Sequence, residues 1–176
     1  MELFEEMLVS EVVYRGRVFS ARRDTVRLSD GSQAGREVVD HPGGVVIAAL
    51  DDDGNVYMVE QFRYPLEEVI LELPAGKLEW SEEPDAAAER ELREETGLSA
   101  ETLSRVGILY PTPGYCGETL FLYVARGLTQ GAQALDQGEF LRCRQMPAAE
   151  VKRMILENII KDAKTIALIL LLEKYL

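Results

Sequence analysis

The sequence predicts a layered α/β sandwich built on a mixed β-sheet. Short strand patterns separated by turn residues fill the first third of the chain, one charge-rich helix interrupts the strand series, and two helices close it.

Taken in order, residues 17–28 and 33–39 read as strands joined by Ser29-Asp30-Gly31, a β-hairpin signal. After His41-Pro42-Gly43-Gly44, residues 45–50 and 56–62 flank an acidic turn through Asp53-Gly54-Asn55, and residues 69–73 form a further short strand. From Pro84 to Thr96 the pattern becomes helical, with proline suited to the first helical position and Gly97 to a left-handed C-terminal cap. Ala87, Ala88 and Leu92 mark its narrow apolar stripe. Strands resume at 103–110, 119–125 and 139–144, and helices follow at 148–157 and 162–175.

At 176 residues the chain holds one domain with a full apolar core and is too short for two ordinary ones. A net charge of −12 argues against a phosphate-backbone binder, so nucleic acid is not an expected partner. The same charge makes a divalent cation more necessary if the substrate is an anion. Cys116 and Cys143 are too few for a disulfide framework and have no zinc-ligand spacing, which points to a reducing, cytoplasmic setting. Residues 1–9 carry Glu2, Glu5 and Glu6 where a signal peptide is basic, and the longest apolar run, 166–172, falls short of a membrane span. Secretion and membrane association are not expected.

The chemistry concentrates in Arg90-Glu91-Leu92-Arg93-Glu94-Glu95. Glu91 and Glu95 are four apart and Glu91 and Glu94 three apart, so all three carboxylates project from neighbouring points of one helical face. Each like-charge pair costs about 0.2–0.5 kcal/mol in an isolated helix unless a cation bridges the oxygens. Hard divalent cations combine a few such carboxylates with waters and phosphates. Alone, a Glu-rich helix is more often a solvated face. The flanking residues change that balance: Gly76, Glu82, Arg90-Glu91-Leu92, Glu94-Glu95 and Gly97-Leu98 keep a fixed spacing whose chance coincidence is on the order of 10⁻⁸.

Across residues 76–98 this spacing resembles the signature of the Nudix hydrolases without a mismatch. The resemblance implies the Nudix fold, an α-β-α sandwich with a mixed β-sheet and, in this branch, an N-terminal antiparallel β extension over residues 1–40 of a single domain spanning 1–176. It also implies metal-dependent hydrolysis of a pyrophosphate bond, with Mg²⁺, or Mn²⁺ as a substitute. By the same resemblance Glu91 and Glu95 are the main metal carboxylates, with Glu94 beside them and the Ala75 carbonyl as a further ligand, and Arg90 orients the cluster. Glu82 supports the helix start by hydrogen bonding or is an exposed acid near the helix dipole.

Outer motifs extend the resemblance to the ADP-ribose pyrophosphatase branch and its nucleoside-diphosphate-sugar relatives. They are Arg36-Glu37 with His41-Pro42-Gly43, Glu60-Gln61-Phe62-Arg63, Glu72-Leu73-Pro74-Ala75-Gly76-Lys77, Thr112-Pro113-Gly114 with Glu118, and Asp162-Ala163-Lys164-Thr165. The branch implies substrate contacts from Arg36, Glu37, Arg63, Thr112 and Glu118, and from Val18 and Phe19 reaching adenine across a homodimer interface. As bare residues, Val18 and Phe19 are an apolar strand pair and Arg36 and Arg63 are surface arginines.

Glu139 aligns with the branch's metal-contacting or catalytic glutamate. Relatives carry an acid where this chain has Gln137, so the general base is Glu139 or Asp136. His41 reads as a turn residue, Trp80 as packing or a lip of the site, and Cys116 has no base partner to make it a nucleophile. The expected activity is cleavage of ADP-ribose to AMP and ribose 5-phosphate. GDP-mannose-type or broader nucleotide-sugar specificity is the alternative within this class, and a non-catalytic nucleotide sensor is the alternative outside it.

Overall fold

A computed structural model of the chain describes residues 3–172. It contains ten strands, three α-helices and one short 3-10 helix (Tyr64–Leu66) among those residues. The predicted last helix was expected to run to Tyr175, and its final residues lie outside the described range.

The contacts divide the chain into two units. The first, residues 1–43 with 110–119, is built on a three-stranded antiparallel sheet of β1 (Glu5–Arg15), β2 (Ser20–Leu28) and β3 (Gln33–Asp40). The hairpin expected from the sequence is β2–β3, with β2 starting three residues later than predicted. β1 was not foreseen: apart from half-buried Leu8 its apolar residues stay exposed on both sides of the strand, so no one-sided period of two marks it. The loop at 110–119 is stitched to β3 through Val39, whose N–H donates to the Tyr115 carbonyl (2.8 Å) and whose carbonyl accepts from Gly117 (2.9 Å).

The second unit, residues 44–109 with 120–176, carries the remaining elements. One sheet orders β7 (Ala75–Lys77), β4 (Gly44–Ala49), β9 (Leu120–Gln130) and β8 (Leu98–Leu109), with β4 and β9 parallel and the other pairs antiparallel. This is the mixed sheet the sequence predicts. A second sheet orders β10 (Leu141–Pro147), β5 (Asn55–Arg63) and β6 (Glu68–Glu72).

All six residues of β4 are buried, because helices cover both of its faces. Val45, Ile47 and Ala49 pack with Ala87, Ala88 and Leu92 of α1 (Pro84–Thr96). Val46, Ala48 and Leu50 pack with Val151 of α2 (Ala148–Leu156) and with Leu168 and Ile169 of α3 (Ala163–Leu171). The α-β-α layering therefore follows from a strand whose two alternating faces are both apolar.

Two boundaries differ from the sequence reading in a way that bears on the site. β10 starts at Leu141 rather than 139, leaving Glu139 in a turn after Gly138. β7 was not foreseen because three residues that include glycine and follow Pro74 carry no strand period.

Candidate active site

Helix α1 begins with Pro84 at its first position and ends at Gly97, which takes φ 73° and donates its N–H to the Arg93 carbonyl (2.9 Å). A side chain at 97 would also meet the Gly131 carbonyl oxygen at 2.8 Å, so both conformation and space require glycine. The first turn is fastened to the sheet by the Tyr123 hydroxyl, which donates to Asp85 Oδ1 (2.5 Å). The last turn is fastened to the 131–139 loop, where the Ala134 N–H donates to the Glu94 carbonyl (3.1 Å) and Gln133 Nε2 to the Glu95 carbonyl (2.5 Å). These bonds satisfy helix-end carbonyls that otherwise lack partners, and they tether the loop carrying Asp136 and Glu139.

Held in this way, α1 presents Glu91 and Glu95 inward, at 9% and 2% exposure. Glu95 Oε2 accepts from the Ala75 N–H (2.9 Å), while the Glu91 carboxylate lies against Gly76 so closely that a Cβ at 76 would overlap it. Any residue larger than glycine there would displace the carboxylate. Burial pushes the Glu95 carboxyl up from its ordinary 4.5 to about 8; the Ala75 N–H opposes the shift, and Glu91, Glu139 and Glu72 add to it. Burial also raises Glu91, against the pull of Arg90 and with the push of Glu94 and Glu139. Glu139, whose Oε1 accepts from Gln61 Nε2 at 3.5 Å, therefore shares an electrostatic field with Glu91 and Glu95.

Arg90 is the cation of the cluster. Its Nη1 donates to Glu91 Oε1 (2.7 Å) and Glu94 Oε2 (3.0 Å), and its Nε and Nη2 grip Glu82 at 2.8 and 2.9 Å. Glu82 also accepts the Glu79 N–H (2.9 Å), and the Arg90 hydrogen bond holds the Glu82 carboxyl below its ordinary range.

Among the described residues no three acidic, histidine or cysteine side chains stand together as a ready metal cage. The donor set nevertheless fits a hard divalent cation, which is commonly held by one or two carboxylates together with waters and substrate phosphates. Two buried carboxylates beside a glycine-lined backbone supply that much, and their raised proton affinity records how poorly a bare pair of charges is tolerated there.

Arg63, at the end of β5, donates from Nε to Glu72 Oε1 (2.7 Å) and also feels the charge of Glu95. The remaining residues expected to contact substrate lie in the first unit. Arg36 on β3 engages Glu5 through both Nε (2.9 Å) and Nη2 (2.5 Å), so its fork is occupied. Glu37, next to it, is exposed. Val18 and Phe19 are exposed beside the β1–β2 turn, with the Phe19 ring 5.3 Å from that of Tyr14. The Thr112 carbonyl accepts from Cys116 (3.1 Å), shaping the loop in which Glu118 Oε1 stands 3.6 Å from His41 Nδ1. That nitrogen accepts the Gly43 N–H (3.1 Å), which agrees with the turn role expected of His41.

Sequence reasoning gave no part to Gln61 or Gln133, or to the contact between Glu72 and Lys164. Glu60-Gln61 and Asp162-Ala163-Lys164-Thr165 were visible as motifs, but a motif does not say which atoms meet.

These features define a hydrolase-type acidic helix packed on an α-β-α sandwich, and comparison with known proteins gives the family. The NUDIX domain matches residues 40–169, and the nucleoside diphosphate sugar hydrolase N-terminal domain matches residues 5–39. The chain belongs to the Nudix hydrolase family. It is 40% identical over 168 residues to the methanol dehydrogenase activator of Bacillus methanolicus, covering 94% of this chain and 91% of that protein. It is 37% identical over 165 residues to the ADP-ribose pyrophosphatase of Bacillus subtilis (strain 168), covering 93% and 89%. The crystal structure of an ADP compounds hydrolase, 22% identical, matches with a TM-score of 0.86 over 99% of this chain and 96% of its own, a likeness of fold.

The Glu95 shift makes stability depend on pH. Between 4.5 and about 8 the folded chain keeps a proton that the unfolded chain has released, so stability falls as pH rises through that window and levels off above it. Without metal, the melting temperature of the wild-type protein is expected to drop relative to Glu95→Gln from acid to alkaline pH. Parallel melting curves would show that Glu95 titrates normally.

Proposed function

We propose that the protein is a metal-dependent pyrophosphatase acting on ADP-ribose or a similar nucleoside-diphosphate sugar, releasing a nucleoside monophosphate and a sugar phosphate. The observation that carries this reading is the pair of buried carboxylates, Glu91 and Glu95, held against residues 75–76 within the field of Glu139. The matched N-terminal domain and the ADP-ribose pyrophosphatase relative support the substrate class.

In this reading Glu91, Glu95 and the Ala75 carbonyl hold Mg²⁺, for which Mn²⁺ substitutes, with Glu94 beside them and Arg90 fixing the carboxylates. When bound, the ion neutralises the diphosphate and acidifies a water. Glu139 lies in a turn, partly exposed and within reach of Gln61, and takes the proton as water adds to one phosphorus and the bridging oxygen leaves. Asp136, one hydrogen-bonded turn back, whose carbonyl accepts the Glu139 N–H (3.0 Å), is exposed and is the second choice. Arg63 and Arg36 offer guanidinium forks suited to phosphate oxygens, and Arg36 must first leave Glu5. Glu37, Thr112, Glu118, Val18 and Phe19 complete the substrate contacts, with Val18 and Phe19 supplied to the adenine of the partner copy.

A homodimer belongs to the proposal. Met7, Val9, Val12, Tyr14, Val18 and Phe19 are exposed on the β1–β2 hairpin, an apolar concentration that a second copy would cover. No helix among the described residues is long and apolar enough to cross a membrane, and the free cysteines suit a reducing, cytoplasmic compartment.

Hydrolysis of a nucleotide-sugar panel with Mg²⁺ in ¹⁸O-water tests the activity. ADP-ribose is expected to turn over fastest, and Glu139→Gln to lower kcat about 10²- to 10⁴-fold with little change in KM. Faster turnover of GDP-mannose would move the specificity to that sugar, and no turnover of any member would overturn the proposal. Light scattering at micromolar concentration is expected to give the mass of a dimer, and a monomer mass would remove the shared adenine site.

A further inference from the structure

The motif Asp162-Ala163-Lys164-Thr165 opens α3, and its three polar residues form one continuous network with β6 and β5. Asp162 caps the helix, its Oδ2 accepting the Thr165 N–H (3.0 Å) and the Thr165 hydroxyl (2.6 Å). The same hydroxyl oxygen accepts the Leu73 N–H (2.8 Å), pinning the short link that leads from β6 to Ala75 and Gly76. Lys164 Nζ pairs with Asp162 Oδ1 (2.9 Å) and with Glu72 Oε2. The other oxygen of Glu72, Oε1, takes the Arg63 Nε (2.7 Å).

Glu72 is only 1% exposed, whereas Arg63 is 38% exposed and lies close enough to Glu95 to feel its charge. The network holds two acids and two bases, so the buried carboxylate is fully neutralised. Its geometry also limits Arg63. A guanidinium beside a free carboxylate tends to take both oxygens in a parallel fork. Here Lys164 occupies the second oxygen, and among the described residues the Arg63 side chain makes its hydrogen bond through Nε alone. Both Nη groups are left for another anion.

We propose that Lys164 is a positioning residue: by holding Glu72 Oε2 it keeps Arg63 from closing a bidentate fork on Glu72, and so keeps the Arg63 Nη groups available to the substrate diphosphate. This rests on the proposed function, in which Arg63 grips phosphate. Thr165 and Asp162 serve the same end by fixing the helix end from which Lys164 reaches.

The test is a double-mutant cycle on the full chain, using Lys164→Met, Lys164→Arg, Arg63→Ala and the Arg63→Ala/Lys164→Met pair. KM and kcat are measured with the nucleotide sugar the wild type turns over, and melting temperatures are recorded alongside. Lys164→Met is expected to raise KM about tenfold while moving kcat less, and Lys164→Arg to restore KM. In the Arg63→Ala background Lys164→Met is expected to add nothing to KM, whatever it does to melting temperature. An equal rise in KM with and without Arg63, or no rise in either, would overturn the role. Wild-type turnover reports separately on the proposed activity. Should Lys164→Met not fold, Thr165→Val in the same cycle carries the comparison, with the same two outcomes deciding it.

Discussion

The arrangement depends on one unfavourable act: α1 places two carboxylates, Glu91 and Glu95, out of water and four residues apart on the same face. Burial makes both carboxyls hold their protons more tightly than exposed glutamates do, with Glu95 pushed up to about 8. Much of the surrounding structure can be understood as holding that pair in place. Gly76 leaves room for the Glu91 carboxylate, the Ala75 N–H binds Glu95, and Arg90 gathers Glu82, Glu91 and Glu94 around one guanidinium.

The rest of the second unit positions these contacts. β4 is apolar on both faces, so α1 packs on one side while α2 and α3 pack on the other. Residues 72–76 are thus held from two directions. Thr165 at the start of α3 binds the Leu73 N–H, and Glu95 on α1 binds the Ala75 N–H. The two acidic centres are handled differently. Glu72 is neutralised by Lys164 and Arg63, while among the described residues Glu95 has a single backbone donor and no ion-pair partner. A buried charge already matched within the chain gains little from a further cation, and one left unmatched gains a great deal. On the proposed function, that contrast sets the cation site at Glu95 apart from the already neutralised Glu72 network.

Much of this was legible in the sequence for identifiable reasons. The span of α1 was readable because Pro84 and Gly97 mark its ends by local chemistry, and its inward face because Ala87, Ala88 and Leu92 are spaced for a helix. The spacing from Gly76 to Leu98 carried the family. What escaped depends on long-range pairing. β1 has no one-sided apolar pattern, β7 is too short to have a period, and the start of β10 at Leu141 is set by its partner Gln61 rather than by its own residues. At the site, the helical face of Glu91, Glu94 and Glu95 follows from geometry that any helix shares. The engagement of Arg63 with Glu72, and of Glu72 with a lysine 92 positions further on, does not. Arg36 likewise reads as a free guanidinium until β1, which the sequence does not announce, brings Glu5 to it.

Manganese titration followed by the electron paramagnetic resonance of the free ion bears most directly on the buried pair. The wild-type chain should take up Mn²⁺ and Glu91→Gln/Glu95→Gln should lose that uptake, with a dissociation constant at least about tenfold weaker. Equal uptake by the two proteins, each folded by circular dichroism, would mean that cations settle elsewhere and that the inward carboxylates of α1 serve some other purpose.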